Sequence, residues 1–158
     1  MILDEPVPEK TAGDLTVGVA VANFNQSITD RLLDGALQAL EREGTGRVVL
    51  LRVPGAWELP VAAAELARRG CDAVVAIGAI IKGETDHYEV IVNHSAAGLI
   101  EVALAHHIPV ANAVLAAHDF DQAFDRSEPG PGNKGAEAAL AAVKTACLIG
   151  AGWTGLQP

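Results

Sequence analysis

The sequence predicts an α/β domain in which a parallel β-sheet carries helices on both faces. Short, nearly uninterrupted apolar runs alternate along the chain with segments whose apolar residues recur at helical spacing. Continuous apolar runs are typical of strands covered on both faces, and strand–helix alternation is typical of parallel sheets with right-handed crossovers. The chain has 158 residues, of which 50% are hydrophobic, and this is enough for one domain with a sizeable core.

Four apolar runs are expected to form the strands. The first is bounded by polar residues on both sides, and the other three are similarly short and apolar. The strands are expected at Leu15–Ala22, Val48–Val53, Ala73–Ile77 and Val110–Leu115.

Helical spacing marks the segments between these strands. In the first of them, Leu32, Leu33, Ala36, Leu37 and Leu40 share one apolar face. Further helices are expected at Trp57–Arg69 after Pro54-Gly55, at Tyr88–His107, at Phe120–Asp125 and from about Gly135.

No internal repeat or linker divides the chain. We therefore expect one domain over residues 15–149, followed by a C-terminal tail at residues 150–158. Residues 1–14 are expected to form an arm that is either flexible or paired with the sheet edge of a neighbouring subunit.

Composition and charge exclude several classes of function. The formal net charge is −9, which argues against binding to nucleic acid or to anionic membranes. No apolar run reaches the roughly 18 residues of a membrane-spanning helix, and the acidic N-terminus lacks signal-peptide features, so we expect a cytoplasmic protein. Cys71 and Cys147 lack metal-like or redox-like spacing and are expected to be buried thiols.

The loops that follow the strands are the expected ligand site, because parallel α/β sheets bind ligands beyond the carboxyl ends of their strands. These loops are expected at residues 23–25, 54–58, 78–87 and 116–121. Three of the six aromatic residues, Phe24, Trp57 and Tyr88, fall in or just after them. Their placement predicts a flat ligand that stacks; the alternative is that the rings simply close the end of the sheet.

The segment from Gly78 to Thr85 has the spacing G-x-x-x-x-G-x-T of a nucleotide-binding P-loop. A P-loop needs a lysine where Glu84 stands, and a carboxylate would repel the terminal phosphates, so an NTPase is excluded. The backbone N–H groups of Gly83-Glu84-Thr85, which lead into a helix, could still hold one phosphate. The alternative is an ordinary helix cap at Thr85 or Asp86.

Three cationic or titratable residues are candidates for chemistry beside such a phosphate. His87 stands at a helix start, where the helix dipole disfavours an imidazolium and a neutral imidazole could relay a proton; the alternative is a structural histidine. Arg126 carries a planar guanidinium whose donors suit a phosphate. The alternative is that it only provides a favourable positive charge at the end of a short helix. Lys134 lies close to a predicted helix start, where a cation is electrostatically disfavoured, and this placement indicates a functional role. The alternative is a solvated loop lysine. His87 and His94 share a helical face without a third ligand, so no metal site is expected.

Five motifs in order carry a resemblance to one family. They are Phe24-Asn25, Leu32-Leu33-Asp34-Gly35-Ala36, the run from Val53 to Pro60, the run from Gly83 to Tyr88, and Asn133-Lys134-Gly135. Across about Leu15 to Leu148 the chain resembles the 6,7-dimethyl-8-ribityllumazine synthase family of riboflavin biosynthesis. The resemblance implies a flavodoxin-like, three-layer α/β/α sandwich with a four-stranded parallel sheet.

The resemblance also implies a reaction, which needs no metal or organic cofactor. The family condenses 5-amino-6-(D-ribitylamino)uracil with 3,4-dihydroxy-2-butanone 4-phosphate, releasing phosphate and water. Carried over by position, His87 transfers protons, Phe24 stacks on the pyrimidine and Lys134 reaches a pyrimidine carbonyl. The other implied contacts are Ala56, Trp57 and Glu58 to the ribityl chain, the backbone of Ala79, Ile80 and Ile81 to the pyrimidine edge, and Gly83, Glu84, Thr85 and Arg126 to the phosphate.

Oligomers are a further implication of the resemblance. Family sites lie between neighbours in a pentamer, with Asn112 at a position contributed by the adjacent subunit. Some members assemble pentamers into an icosahedral cage, which the spacing of Arg126 and Lys134 favours here, and riboflavin synthase is a possible partner. The chain departs from the family at Ala113, at Ala116, at His118-Asp119 and in its tail with Trp153.

Two alternatives to the enzyme belong to other classes. One is a diverged paralogue that binds flavin or lumazine without turnover, and the other is a shell protein with a vestigial site. The intact pair of His87 and Arg126 argues against both, because either class could lose these residues.

Overall fold

The computed structural model describes residues 7–150 of the chain. Within this part, four parallel strands form one sheet with the order β2-β1-β3-β4. The strands are β1 (Thr16–Ala22), β2 (Arg47–Val53), β3 (Ala73–Ile81) and β4 (Val110–Ala117). All four strands are where the apolar runs predicted them.

Five helices connect or follow the strands. They are α1 (Gln26–Arg42), α2 (Leu59–Arg68), α3 (His87–His106), α4 (Phe120–Asp125) and α5 (Lys134–Ile149). Short 3₁₀ turns lie at Ala12–Asp14 and Ala56–Glu58. No helix in the described part is both long and apolar enough to cross a membrane.

Alternate side chains of the strands enter two separate cores. Val17, Val19 and Val21 of β1 pack with α1 and α5 on one face of the sheet. Ala20 and Ala22 of the same strand pack with α2 and α3 on the other face. Because successive strand residues point to opposite faces, one apolar run supplies both cores. The predicted three-layer α/β/α sandwich is therefore confirmed.

The end of β3 corrects one expectation. Gly78 was expected to open a loop, but β3 continues to Ile81 and pairs with β4 as far as the register Ile81–Ala117. Ala79 and Ile80 are buried there. Gly78 therefore does not end the strand. A Cβ on Gly78 would press against Leu59 and Val114, so the role of the glycine is to let these side chains pack closely against β3.

The described part of the N-terminal arm contacts the domain. Lys10 Nζ lies 3.0 Å from Asp72 Oδ1, and the other oxygen of Asp72 accepts a bond of 2.8 Å from Thr16 N. Pairing of the arm with a neighbouring sheet stays a prediction. The tail, including Trp153, lies outside the described residues except for Gly150.

Two glycines and one buried asparagine bring α1 and α5 together. Asn133 is 1% exposed; its amide nitrogen donates to Arg31 O at 3.1 Å and to Ser127 O at 2.8 Å. Its Oδ1 accepts from Ala136 N at 3.0 Å and so caps the start of α5. A Cβ on Gly35 would strike this side chain, and one on Gly135 would strike the Leu32 backbone carbonyl.

The close approach at Gly135 determines whether Gly135→Ala raises or lowers the free energy of unfolding. Gly→Ala in a helix ordinarily stabilises by about 1 kcal/mol. Gly135→Ala is expected instead to destabilise by about 1–3 kcal/mol, because the methyl group overpacks against backbone that cannot rotate away. Urea unfolding at matched protein concentration measures the effect. Gly132→Ala, which points into open space, is the control and should stay within about 0.5 kcal/mol of wild type; a stabilised Gly135→Ala would contradict the packing.

Candidate active site

A cleft of about 450 Å³ opens at the carboxyl ends of β1, β2 and β3. Strand order reverses between β1 and β3, which is where open parallel sheets place their ligands. The lining comes from three loops, the end of β3 and the start of α3: Phe24, Pro54, Gly55, Ala56, Trp57, Glu58, Ala79, Ile80, Ile81, Gly83, Thr85, His87, Tyr88 and Ile91. The structure therefore brings together most of the site residues expected from the sequence.

The aromatic rings of the cleft differ in burial. Phe24 is 71% exposed and Trp57 is 53% exposed, so neither ring closes the end of the sheet. Tyr88 is half-buried and packs against the core on the α2–α3 face. Exposed rings beside a cleft favour stacking on a ligand for Phe24 and Trp57, whereas the packing alternative fits Tyr88.

Glu58 has its carboxylate held in place by the loop after β2. Its Oε2 accepts a bond of 2.9 Å from Gly55 N, within the 3₁₀ turn that also carries Ala56 and Trp57. A Cβ on Gly55 would come within 3.3 Å of this oxygen, so glycine lets the carboxylate lie against the backbone. The turn thus presents one fixed carboxylate, an acceptor suited to hydroxyl groups, together with backbone groups at the rim.

The start of α3 brings a titratable side chain to the same cleft. His87 is the first helical residue and is exposed, and the N-cap residue Asp86 makes no side-chain capping bond. Gly83 and Thr85 line the cleft beside His87, while the exposed Glu84 is outside the lining. The free N–H groups of a helix start favour an anion here, and the Glu84 charge is kept off the cleft wall.

A second groove, of about 520 Å³, runs along the exposed edge of β4 and the start of α5. It is lined by Asn112, Arg126 and Lys134, which together with Glu84 are the expected site residues that are missing from the cleft. Arg126 Nη1 donates to Gln122 O at 2.9 Å, and Lys134 Nζ pairs with Glu137 Oε2 at 2.7 Å. The expected residues therefore fall into two groups that one chain does not bring into a single site.

The groove also shows what two departures from the family do. Ala113 is buried, and its methyl group joins the core on the α1–α5 face. Ala116 is exposed in the groove. Asn112 Oδ1 accepts from Val114 N at 2.8 Å and so satisfies a donor on this edge strand.

Two further side chains near the cleft have structural contacts. The ring of His94 meets the ring of Trp57 edge to face, with 6.1 Å between their centroids. Lys82 Nζ lies 3.6 Å from Glu89 Oε1 and above the Tyr88 ring. Within residues 7–150, no group of three or more His, Cys, Asp or Glu side chains could hold a metal ion.

Sequence reasoning gave Asn25 no role in the site. Its amide nitrogen donates to Ala79 O at 2.8 Å, at the end of β3 that lines the cleft. The signal was present, because Asn25 follows Phe24 in one of the family motifs, but the contact joins residues that are far apart in sequence.

Comparisons with known proteins cover the part of the chain that forms both surfaces. A family model described as 6,7-dimethyl-8-ribityllumazine synthase matches residues 14–149, which include both the cleft and the groove. The 6,7-dimethyl-8-ribityllumazine synthase of Aquifex aeolicus (strain VF5) is 43% identical over 143 residues, covering 88% of this chain and 92% of the relative.

Proposed function

The chain belongs to the 6,7-dimethyl-8-ribityllumazine synthase family, and from this premise we propose how its two surfaces carry out the reaction. It is a transferase of riboflavin biosynthesis that condenses 5-amino-6-(D-ribitylamino)uracil with 3,4-dihydroxy-2-butanone 4-phosphate. The observation that carries the proposal is one cleft that combines exposed aromatic rings, a fixed carboxylate, a helix start and a histidine. Its volume of about 450 Å³ suits a small-molecule substrate.

The pyrimidine substrate occupies the cleft floor in this proposal. Phe24 stacks on the ring, and the backbone from Ala79 to Ile81 reads its polar edge. The ribityl hydroxyls bond to the Glu58 carboxylate and to the backbone of Ala56 and Trp57. The support is that the Phe24 ring is exposed and that Gly55 N fixes the Glu58 carboxylate.

The second substrate brings a phosphate to the start of α3. Backbone N–H groups of Gly83, Glu84 and Thr85, with the Thr85 hydroxyl, hold the phosphate, and Arg126 closes over it. A helix start and a planar guanidinium are both suited to this anion. Holding the two substrates side by side supplies much of the acceleration, because it converts a bimolecular condensation into an intramolecular one.

His87 moves the protons of the reaction. The pyrimidine amine attacks the ketone and water leaves, forming an imine. Removal of a carbon-bound proton by His87 drives the elimination of phosphate and leaves an enol, which tautomerises to a ketone. The second amine attacks this ketone and closes the ring with loss of a second water. An exposed imidazole beside the phosphate loop is positioned for this transfer.

A complete site requires two copies of the chain. The cleft holds His87 and the groove holds Asn112, Arg126 and Lys134, so we propose that the groove of one copy closes the cleft of the next. Closure would require Lys134 to exchange Glu137 for the pyrimidine carbonyl. Exposed apolar side chains support assembly, since Val61 is 74%, Ile100 59% and Leu104 70% exposed.

A ring of five copies, with icosahedral packing of such rings, is the assembly we propose from family membership. Head-to-tail contact of one groove with the next cleft is the type of interface that closes into a ring. Cytoplasmic location and a partnership with riboflavin synthase stay predictions. A binding paralogue or a shell protein is not favoured, since the family match is accompanied by both His87 and Arg126.

Lumazine absorbance and phosphate release, followed together after mixing both substrates, test the function and the role of His87. The wild type should form both products in equal amounts above the uncatalysed rate. His87→Ala should lower kcat by roughly 10-fold or more, because a positioned proton-transfer group is lost. His106→Ala, at the exposed far end of α3, is the control and should match wild type. Wild-type protein without acceleration would refute the function, and unchanged turnover in His87→Ala would refute its role.

Arg126→Ala tests the phosphate clamp. The KM for the phosphorylated substrate should rise by roughly 10-fold to 100-fold, as expected for a lost bond to a charged group, while the KM for the pyrimidine changes little. Arg42→Ala is a matched control, because Arg42 Nε also bonds the carbonyl four residues earlier, Gln38 O, but lies away from the groove. Equal effects on both KM values would argue against the clamp.

A further inference from the structure

We infer that Asn25 is a positioning residue for the pyrimidine substrate, because its amide fixes the end of β3 that is proposed to read the ring. The inference rests on the proposed function and adds a residue to it. Three observations carry it: the way β1 leaves the sheet, the bond from Asn25 to Ala79, and the backbone conformation of Asn25.

The first observation is that β1 stops pairing with β3 before β3 ends. The last β1–β3 register is Val21–Ile77, whereas β3 continues along β4 to Ile81. Beyond β1 the backbone bonds to the end of β2, on the side away from β3: Asn23 N donates to Val53 O at 2.8 Å and Phe24 N to Pro54 O at 3.0 Å. The last residues of β3 therefore face the cleft on the side that β1 has left.

The second observation is that the Asn25 side chain bonds to β3 just beyond the last residue of β3 that pairs with β1. Asn25 Nδ2 donates to Ala79 O at 2.8 Å, two residues beyond the final paired residue of β3. Lys82 N donates to Ala117 O, so even-numbered residues at this end face β4. By strand alternation, the peptide groups of Ala79 and Ile81 face the cleft side. With the Ala79 carbonyl held by Asn25 and the Ile80 peptide groups facing β4, the Ala79 N–H and the Ile81 peptide groups remain for the pyrimidine edge.

The third observation is that the backbone at Asn25 is left-handed, with φ 58° and ψ 46°. Asparagine tolerates this conformation better than most residues. Asn25 is the N-cap residue of α1, yet its side chain makes no capping bond, and its carbonyl accepts from Ile28 N and Thr29 N. The helix start thus leaves the amide free to bond Ala79. Because Phe24 directly precedes Asn25, the same bond also fixes the backbone that carries the stacking ring relative to the β3 edge.

Two substitutions separate the amide from the backbone conformation. Asn25→Gly retains the left-handed conformation but removes the donor. Asn25→Asp retains the shape but sets a carboxylate oxygen against the Ala79 carbonyl. His107→Gly is the matched control, because His107 is also left-handed, with φ 54°, but lies at the far end of α3. Each variant is assayed for kcat and both KM values, and calorimetry measures the Kd of 5-amino-6-(D-ribitylamino)uracil.

Asn25→Gly should raise the KM and the Kd for the pyrimidine by roughly 3-fold to 10-fold, the size of one lost hydrogen bond, with the KM for the phosphorylated substrate unchanged. Asn25→Asp should raise them further, and His107→Gly should match wild type. Unchanged pyrimidine binding in both Asn25 variants, or equal rises in both KM values alongside a lowered Tm, would overturn the inference. A wild type that binds the pyrimidine without forming lumazine would instead refute the proposed function, while the Kd comparison would still decide the role of Asn25.

Discussion

The cleft depends on one constraint, the different lengths over which β3 is paired on its two sides. On the β4 side β3 is paired to Ile81, and on the β1 side only to Ile77. A strand that stays rigid on one side and open on the other offers backbone donors and acceptors to a ligand without fraying. Phe24 and the Ala56–Glu58 turn lie around this open edge because β1 and β2 end there. The position of the cleft is therefore determined by strand pairing, and the side chains only add to it.

The second half of the site depends on how tightly α1 and α5 pack. Gly35 and Gly135 allow the close approach, and buried Asn133 bonds to the backbone of both Arg31 and Ser127. Lys134 N also donates to Arg126 O at 3.1 Å, so the two cations are tied to one rigid corner. Because this corner is at the β4 edge rather than in the cleft, the proposed reaction uses both surfaces across an interface between copies.

Much of this could be predicted from the sequence, because buried parallel strands leave uninterrupted apolar runs. The strands, the helices, the ligand-binding loops and the candidate residues followed from such runs or from the family motifs. The extension of β3 past Gly78 did not, because a glycine at a strand end resembles a turn unless its packing against Leu59 and Val114 is known. The bond from Asn25 to Ala79 spans 54 positions, and the division into cleft and groove depends on strand order. The motif Phe24-Asn25 marks Asn25 but not its partner, and the division into cleft and groove has no local sequence signal.

Mixed oligomers test the central claim, that each site takes His87 from one copy and Arg126 from the next. Copies of His87→Ala and Arg126→Ala carrying different affinity tags are co-expressed, and oligomers with both tags are assayed. Random head-to-tail assembly places an intact His87 against an intact Arg126 at about one quarter of the interfaces. With the phosphorylated substrate well below its KM, where both variants are impaired, the two-copy site therefore predicts about a quarter of the wild-type rate, above either variant alone. Mixed oligomers no more active than the mean of the two variants would contradict it.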